Sequence, residues 1–267
     1  GMNSVALTDH GNMFGALDFY KSARAHDIKP IFGCEVYITD RDRTDRSERR
    51  SFHFILLAKN EQGYRNLTYL VSMGYLEGFY YTPRIDKTLL REHSAGLIGT
   101  TACLGGEAAQ ALFNRGSAAM EEVVTEYKSI FEPDSFYLEL QPNGMTEQEE
   151  VNERLIKLGA KHSIPLVATN DCHYLERKDA VAHDCLMCVQ MGKLVSDRDR
   201  LKHDIDEYYV KSPQEMEQAF SHVPEAIENT IKIANMCDVT LDLGQTYLPN
   251  YKVPEGHNLE SFLTLQA

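Results

Sequence analysis

Short apolar, β-branched runs alternate along the chain with longer stretches in which apolar residues recur every three or four positions. Ser4-Val5-Ala6-Leu7, Phe54-Ile55-Leu56-Leu57 and Pro165-Leu166-Val167-Ala168 are runs of the first kind. Bounded by Gly, Pro or Asn, they predict buried strands. Met13, Leu17, Tyr20 and Ala23 or Arg24 recur at helical spacing after Gly11-Asn12. Val151, Leu155, Leu158 and Gly159 do the same before Ile164. These stripes predict helices whose apolar faces pack on a sheet. The alternation predicts an α/β fold, either a parallel barrel or an open sheet.

Polar clusters sit at or beside the ends of the apolar runs. They are Thr8-Asp9-His10-Gly11, Gly33-Cys34-Glu35, His53, Thr101-Ala102-Cys103-Leu104 and Asn170-Asp171-Cys172-His173. In α/β folds the chemistry gathers at the C-terminal ends of the strands. Four clusters lie there. His53 instead opens its strand, which predicts a strand running the other way. Imidazole, carboxylate and thiolate are the ligands of zinc and related divalent ions, so the clusters together read as a candidate metal site.

Composition narrows the function classes. A net charge of −13 argues against a broad nucleic-acid surface. The local exception is residues 40–50, with five arginines against four acids and no apolar residue. That segment reads as a solvated, mobile loop, with a DNA- or partner-contacting arm as the sharper alternative. A hydrophobic fraction of 43% suffices for a core. No run approaches the ~18 apolar residues a membrane span needs. The six cysteines, Cys34, Cys103, Cys172, Cys185, Cys188 and Cys237, fit a reducing cytosol better than a disulfide framework. Cys185 and Cys188 fall near one face of a helical pattern and read as core. Cys34 and Cys172 read as barrel-wall residues and Cys237 as buried. Phe79-Tyr80-Tyr81 reads as packing, with base stacking as the alternative. His26, His93, His162, His183, His203, His222 and His257 show no convergent partners.

Longer stretches carry a family resemblance. They are VALTDHGNMFGALDFYKSARAHDIKPIFGCEVYIT from Val5, HFILLAKNEQGYRNL from His53, GFYYTPRID from Gly78, and TACLGGE with ATNDCHYL. With these the chain resembles the PHP (polymerase and histidinol phosphatase) domain of bacterial replicative DNA polymerase alpha subunits. The resemblance implies a distorted β/α barrel of about seven strands with metal ligands at one mouth. It implies metal-ligand roles for His10, Glu35, His53, Cys103, Asp171 and His173, with Asp9 orienting His10. Cys103 and the histidines favour zinc, and the carboxylates admit manganese or magnesium.

The family opens with a strand carrying His-x-His and a following Asp, which nothing before Thr8 matches. The expectation is a barrel incomplete at its N-terminus, in a fragment whose own catalysis is in doubt. Residues 1–205 would form the barrel. Residues 206–267 would form a helical extension toward a polymerase palm, whose magnesium site lies outside this chain. Implied partners are the remainder of the polymerase alpha subunit, a proofreading exonuclease subunit and other replisome proteins. DNA would be met through the parent protein, no membrane is implied, and the setting would be cytoplasmic. The parent would polymerise DNA, and its PHP site would act as a metal-dependent 3′–5′ exonuclease. The alternatives are a structural module that binds the proofreading subunit, or a free-standing phosphatase of the histidinol phosphatase kind.

Overall fold

A computed structural model describes residues 2–203, 205–246, 248 and 251–267. Its centre is a curled, mixed sheet flanked by helices. In chain order the elements that build it are β1 (Ser4–Leu7), α1 (Ala16–Ala25), β2 (Lys29–Thr39), β3 (Phe52–Ala58), α2 (Glu61–Leu76), β4 (Phe79–Tyr80), β5 (Thr82–Asp86), α3 (Lys87–Glu92), β6 (Leu97–Thr100), α4 (Glu107–Arg115), α5 (Ser117–Lys128), β7 (Phe136–Leu140), α6 (Thr146–His162) and β8 (Leu166–Ala168). Then follow α7 (Ala180–Met191), α8 (Pro213–Ala219), α9 (Glu225–Met236) and α10 (Leu259–Gln266). No described helix is long and apolar enough to cross a membrane.

The strands lie in the order β4-β5-β2-β3-β6-β7-β8, with β1 parallel to the first half of β2. This is the distorted PHP-type barrel, opened into a curled sheet. Among the described residues seven strands form the continuous path and β1 pairs with β2 beside it, in keeping with a distorted barrel of about seven strands. As His53's position predicted, β3 runs antiparallel to both β2 and β6.

The core forms where the predicted runs meet. The ring of Phe54 stacks on Tyr127 at 4.4 Å and on Phe131 at 5.8 Å, centroid to centroid. Gly99 leaves the room: a Cβ there would stand 2.4 Å from the Phe131 ring. Val151, Leu155, Leu158 and Gly159 are buried along α6, as their stripe predicted. The stripe at Met13 is only partly right. The helix begins at Ala16 and buries Ala16, Tyr20 and Ala23, while Leu17 faces solvent. Residues before Ala16 are turn, so counting from Met13 set the face off-phase.

Two cysteine expectations are corrected. Cys188 is buried, but Cys185 is exposed, because α7 buries only that one residue. Its Val181, Leu186 and Val189 are exposed too. Cys34 is buried in β2, whereas Cys172 is exposed in the loop after β8. Cys237 caps the end of α9 and is buried, as expected. The α9 helix itself packs on the sheet, with Asn229 Nδ2 donating to the Leu166 carbonyl at 2.7 Å.

Residues 40–50 are exposed apart from the half-buried Arg43 and Asp45, and hydrogen bonds pin them to the fold. Arg84 of β5 is 1% exposed. Its guanidinium donates to the carbonyls of Glu48, Arg43, Asp45 and Gly78. Arg43 reaches Glu77 and Asp86, and Arg50 reaches Asp40. The sequence pattern showed the loop's own charges but not the buried fork from a distant strand.

Candidate metal centre

The β2–β3 ladder builds the heart of the site. Tyr37 pairs with His53 and Glu35 with Ile55, so Glu35 and His53 are diagonal neighbours on one face. Glu35 Oε1 lies 2.5 Å from His53 Nδ1, and Glu35 Oε2 lies 3.6 Å from His10 Nδ1. One ligand atom from each of the three falls within 4.8 Å of the others.

The loop after β1 brings His10 in. Gly11 N–H donates to the Glu35 carbonyl at 2.9 Å, and Glu35 N–H donates to the Asp9 carbonyl at 3.0 Å. Gly11 has φ +66°, and a Cβ there would stand 2.8 Å from Pro83 and 3.0 Å from Tyr37. Only glycine fits both the conformation and the space. Asp9 touches the site through its carbonyl, which also accepts from the Cys34 thiol at 3.3 Å.

Cys103, Asp171 and His173 do not join that three-residue group, although Cys103 and His173 stand beside it. Cys103 Sγ lies 3.4 Å from His53 Nδ1 and accepts from Gly105 N–H at 3.4 Å. The His173 ring lies 6.3 Å from that of His10, and its Nδ1 is held by the Asp171 carbonyl at 2.6 Å. Ala102 and Asp171 both take left-handed backbone conformations, at φ 57° and 48°. Strain of this kind collects where a loop must aim a side chain.

Burial and the crowding of like groups shift the titration of the residues round the mouth. Burial, then the charge of Glu35, pushes the Asp171 carboxyl up to about 6. Burial, then Asp171 and Glu35, pushes the Cys103 thiol far up. His10 is lowered, first by desolvation, against the pull of Glu35 and with the push of His53 and His173. Desolvation opposes protonation of His53, but the Glu35 hydrogen bond and charge and the Asp171 charge outweigh it and raise its pKa. A divalent ion would relieve the carboxylate crowding, and the imidazole–carboxylate–imidazole donor set of His10, Glu35 and His53 suits one.

Sequence reasoning missed several residues. Glu139 of β7 is buried beneath the mouth and accepts from Thr100 Oγ1, from Thr169 Oγ1 at 2.6 Å and from Gln141 Nε2 at 3.0 Å. Burial raises its pKa. The available signal was an acid inside the apolar run Phe136–Leu140. His183 and His203, read as partnerless, stand with their rings 5.4 and 5.8 Å from that of His173. No spacing rule links the helix α7, which carries His183, to the loops of His173 and His203, so the cluster exists only in three dimensions. His162 also has a partner, Glu121, at 2.7 Å.

Known proteins agree with this architecture. The PHP domain family model matches residues 1–143. The DNA polymerase III subunit alpha of Helicobacter pylori is 47% identical over 254 residues, covering 91% of this chain and 21% of that protein. That of Campylobacter jejuni is 45% identical over 263 residues, covering 94% and 22%. That of Thermus aquaticus is 41% identical over 271 residues, covering 97% and 22%. The chain thus spans about a fifth of the length of these relatives. It belongs to the PHP domain family and corresponds to the PHP region of DNA polymerase III alpha subunits.

Proposed function

We propose that this chain is the PHP region of a replicative DNA polymerase and that its mouth is a metal-dependent 3′–5′ exonuclease site. The observation that carries the reading is the convergence of His10, Glu35 and His53 within 4.8 Å. Cys103, Asp171 and His173 complete the proposed ligand set, and Asp9 supports the loop that carries His10. The chemistry of these donors favours zinc, with manganese or magnesium as substitutes. When bound, such an ion supplies Lewis acidity toward a phosphoryl oxygen and makes water acidic enough to attack at neutral pH.

The chain's own residues manage protons and position. Burial and the charge of Glu35 hold the Asp171 carboxyl up at about 6 until a cation draws off its proton. The Cys103 sulfur stays a thiol until a cation offsets the neighbouring carboxylates. Residues 1–205 serve as the catalytic barrel and 206–267 lead toward the polymerase palm, whose own magnesium site lies elsewhere in the parent. The partners are the rest of the alpha subunit, a proofreading exonuclease subunit with other replisome proteins, and DNA. The setting is the cytoplasm.

A second reading is supported by the buried network under the mouth: a structural module that binds the proofreading subunit, in which metal only stabilises the fold. The test is metal content by plasma mass spectrometry alongside release of a 3′-terminal nucleotide from labelled DNA. Stoichiometric metal and release that both vanish in His10→Ala/His53→Ala support the nuclease. Metal that raises the melting temperature with no release under any divalent ion supports the structural module. No metal in the wild type sinks the nuclease reading.

A further inference from the structure

Beside the mouth runs a strip of exposed aromatic rings. Phe14, Tyr75, Phe79 and Tyr81 are all exposed, Phe14 at 83%. Phe14 and Tyr75 have centroids 6.4 Å apart, and Tyr75 stacks on Phe79 at 6.0 Å. Tyr80 meets Tyr81 edge to face at 4.8 Å. Rings of this size are normally buried, and a run of them on the surface marks a binding site.

The strip adjoins the candidate metal centre. The His10 ring stacks on Tyr37 at 6.2 Å, and Pro83, the strand partner of Phe79, stands against the Gly11 turn. At its far end Arg49 lies over the face of Tyr81, 3.7 Å from the centroid. Arg46 joins Phe79, Tyr80 and Tyr81 in lining a hollow of about 520 Å³. Neither arginine forms an ion pair among the described residues, whereas Arg41, Arg43 and Arg50 of the same loop all do. In a chain of net charge −13, two unneutralised guanidinium groups on an aromatic surface are a local exception.

We infer that this strip binds unpaired nucleotides, with bases stacked on Phe79, Tyr81 and their neighbours and backbone phosphates held by Arg46 and Arg49. Flat rings with adjacent cations are how single strands are held without regard to sequence. A protein partner would more naturally take the aliphatic face of α7, where Val181, Leu186 and Val189 are exposed without adjacent arginines on the same turn. A paired duplex hides the base faces the rings would stack on. The inference rests on the nuclease reading for its substrate class and adds how a strand end would reach the mouth.

The test is fluorescence anisotropy of the full chain with labelled oligothymidine of about twelve nucleotides, a length within reported single-strand site sizes. A chelator removes any metal bridge, and a hairpin duplex is the competitor. Binding of the single strand in preference to the duplex is expected. Phe79→Ala/Tyr81→Ala should weaken it by about thirtyfold or more, two stacked bases' worth. Arg46→Ala/Arg49→Ala should flatten the log–log salt slope by about 1.4, two phosphates' worth. Val181→Ser/Val189→Ser, on the exposed face of α7 away from the strip, should bind as the wild type does. Equal binding by the strip variants, or none by the wild type at low salt, overturns the inference. So does self-association that the strip variants abolish in place of DNA binding. Strand binding lost in the strip variants, with no nucleotide release under any metal, would retain this inference and defeat the nuclease reading. Release with KM unchanged in the strip variants would do the reverse.

Discussion

Glu35 bridges two histidines that come from opposite ends of their strands, His53 Nδ1 at 2.5 Å and His10 Nδ1 at 3.6 Å. Among the described residues it is the one carboxylate paired with both. Glu35→Gln keeps the shape and removes the charge. The substitution should weaken zinc or manganese binding by at least the roughly 10–100-fold seen when a mere supporting group is lost. Isothermal titration of the metal-free chain reads this directly. Unchanged affinity would remove Glu35 from the ligand set.

Arg84 should matter for stability far more than a surface arginine. Its guanidinium satisfies carbonyls of Gly78, Arg43, Asp45 and Glu48. Arg84→Ala strands buried acceptors and should cost about 3–5 kcal/mol. Arg84→Lys should recover little, because a single ammonium cannot span the fork's partners. Urea unfolding with an unchanged slope checks both, and a loss under about 1 kcal/mol would show that the loop satisfies itself.

Glu139 gives the metal-free chain a pH dependence of definite sign. Its pKa is raised in the folded state by burial, so the native form holds a proton that the unfolded form has released. Its contribution is therefore most favourable below the ordinary glutamate value of about 4.3 and declines as pH rises above it. Glu139→Gln carries no titrating group there. Its melting temperature should fall less than the wild type's between about pH 5 and 8. Parallel curves would place the dependence elsewhere.

Gly63 marks where α2 meets the turn before β6. Asn60 caps the helix by accepting from Gly63 N–H at 3.0 Å, and a Cβ on Gly63 would stand 1.8 Å from the Gly96 carbonyl oxygen. Gly63→Ala should cost about 1–3 kcal/mol despite alanine's better helix propensity. A stabilised variant would mean that the turn can shift at no cost.

The parts legible in the sequence were those with a local period or a local motif. The α6 stripe and the reversed sense of β3 were read directly from spacing. His10, Glu35 and His53 were singled out because polar residues at the ends of apolar runs are expensive without a purpose. The illegible parts depend on distant partners. Arg84 carried no signal of its own within GFYYTPRID, and only the folded β5 shows it holding residues 43–48. His183 lies on α7, and His173 and His203 lie in loops, with no shared period, so nothing in one dimension joined them. Cys185 misled because α7 is apolar on several faces and the helix buries only one of them.

The reversed direction of β3 also fixes which changes the site can absorb. Glu35 and His53 are set against each other by backbone pairing between β2 and β3, not by the residues 40–51 that connect the strands. That connection can therefore lengthen or shorten without altering the spacing of the two side chains. A single residue inserted within either strand does the opposite. It turns every side chain beyond it to the other face and carries His53 out of the mouth. The arginine-rich loop is thus tied to the fold through Arg84 rather than through the site, while the eleven residues of β2 are held to an integer count.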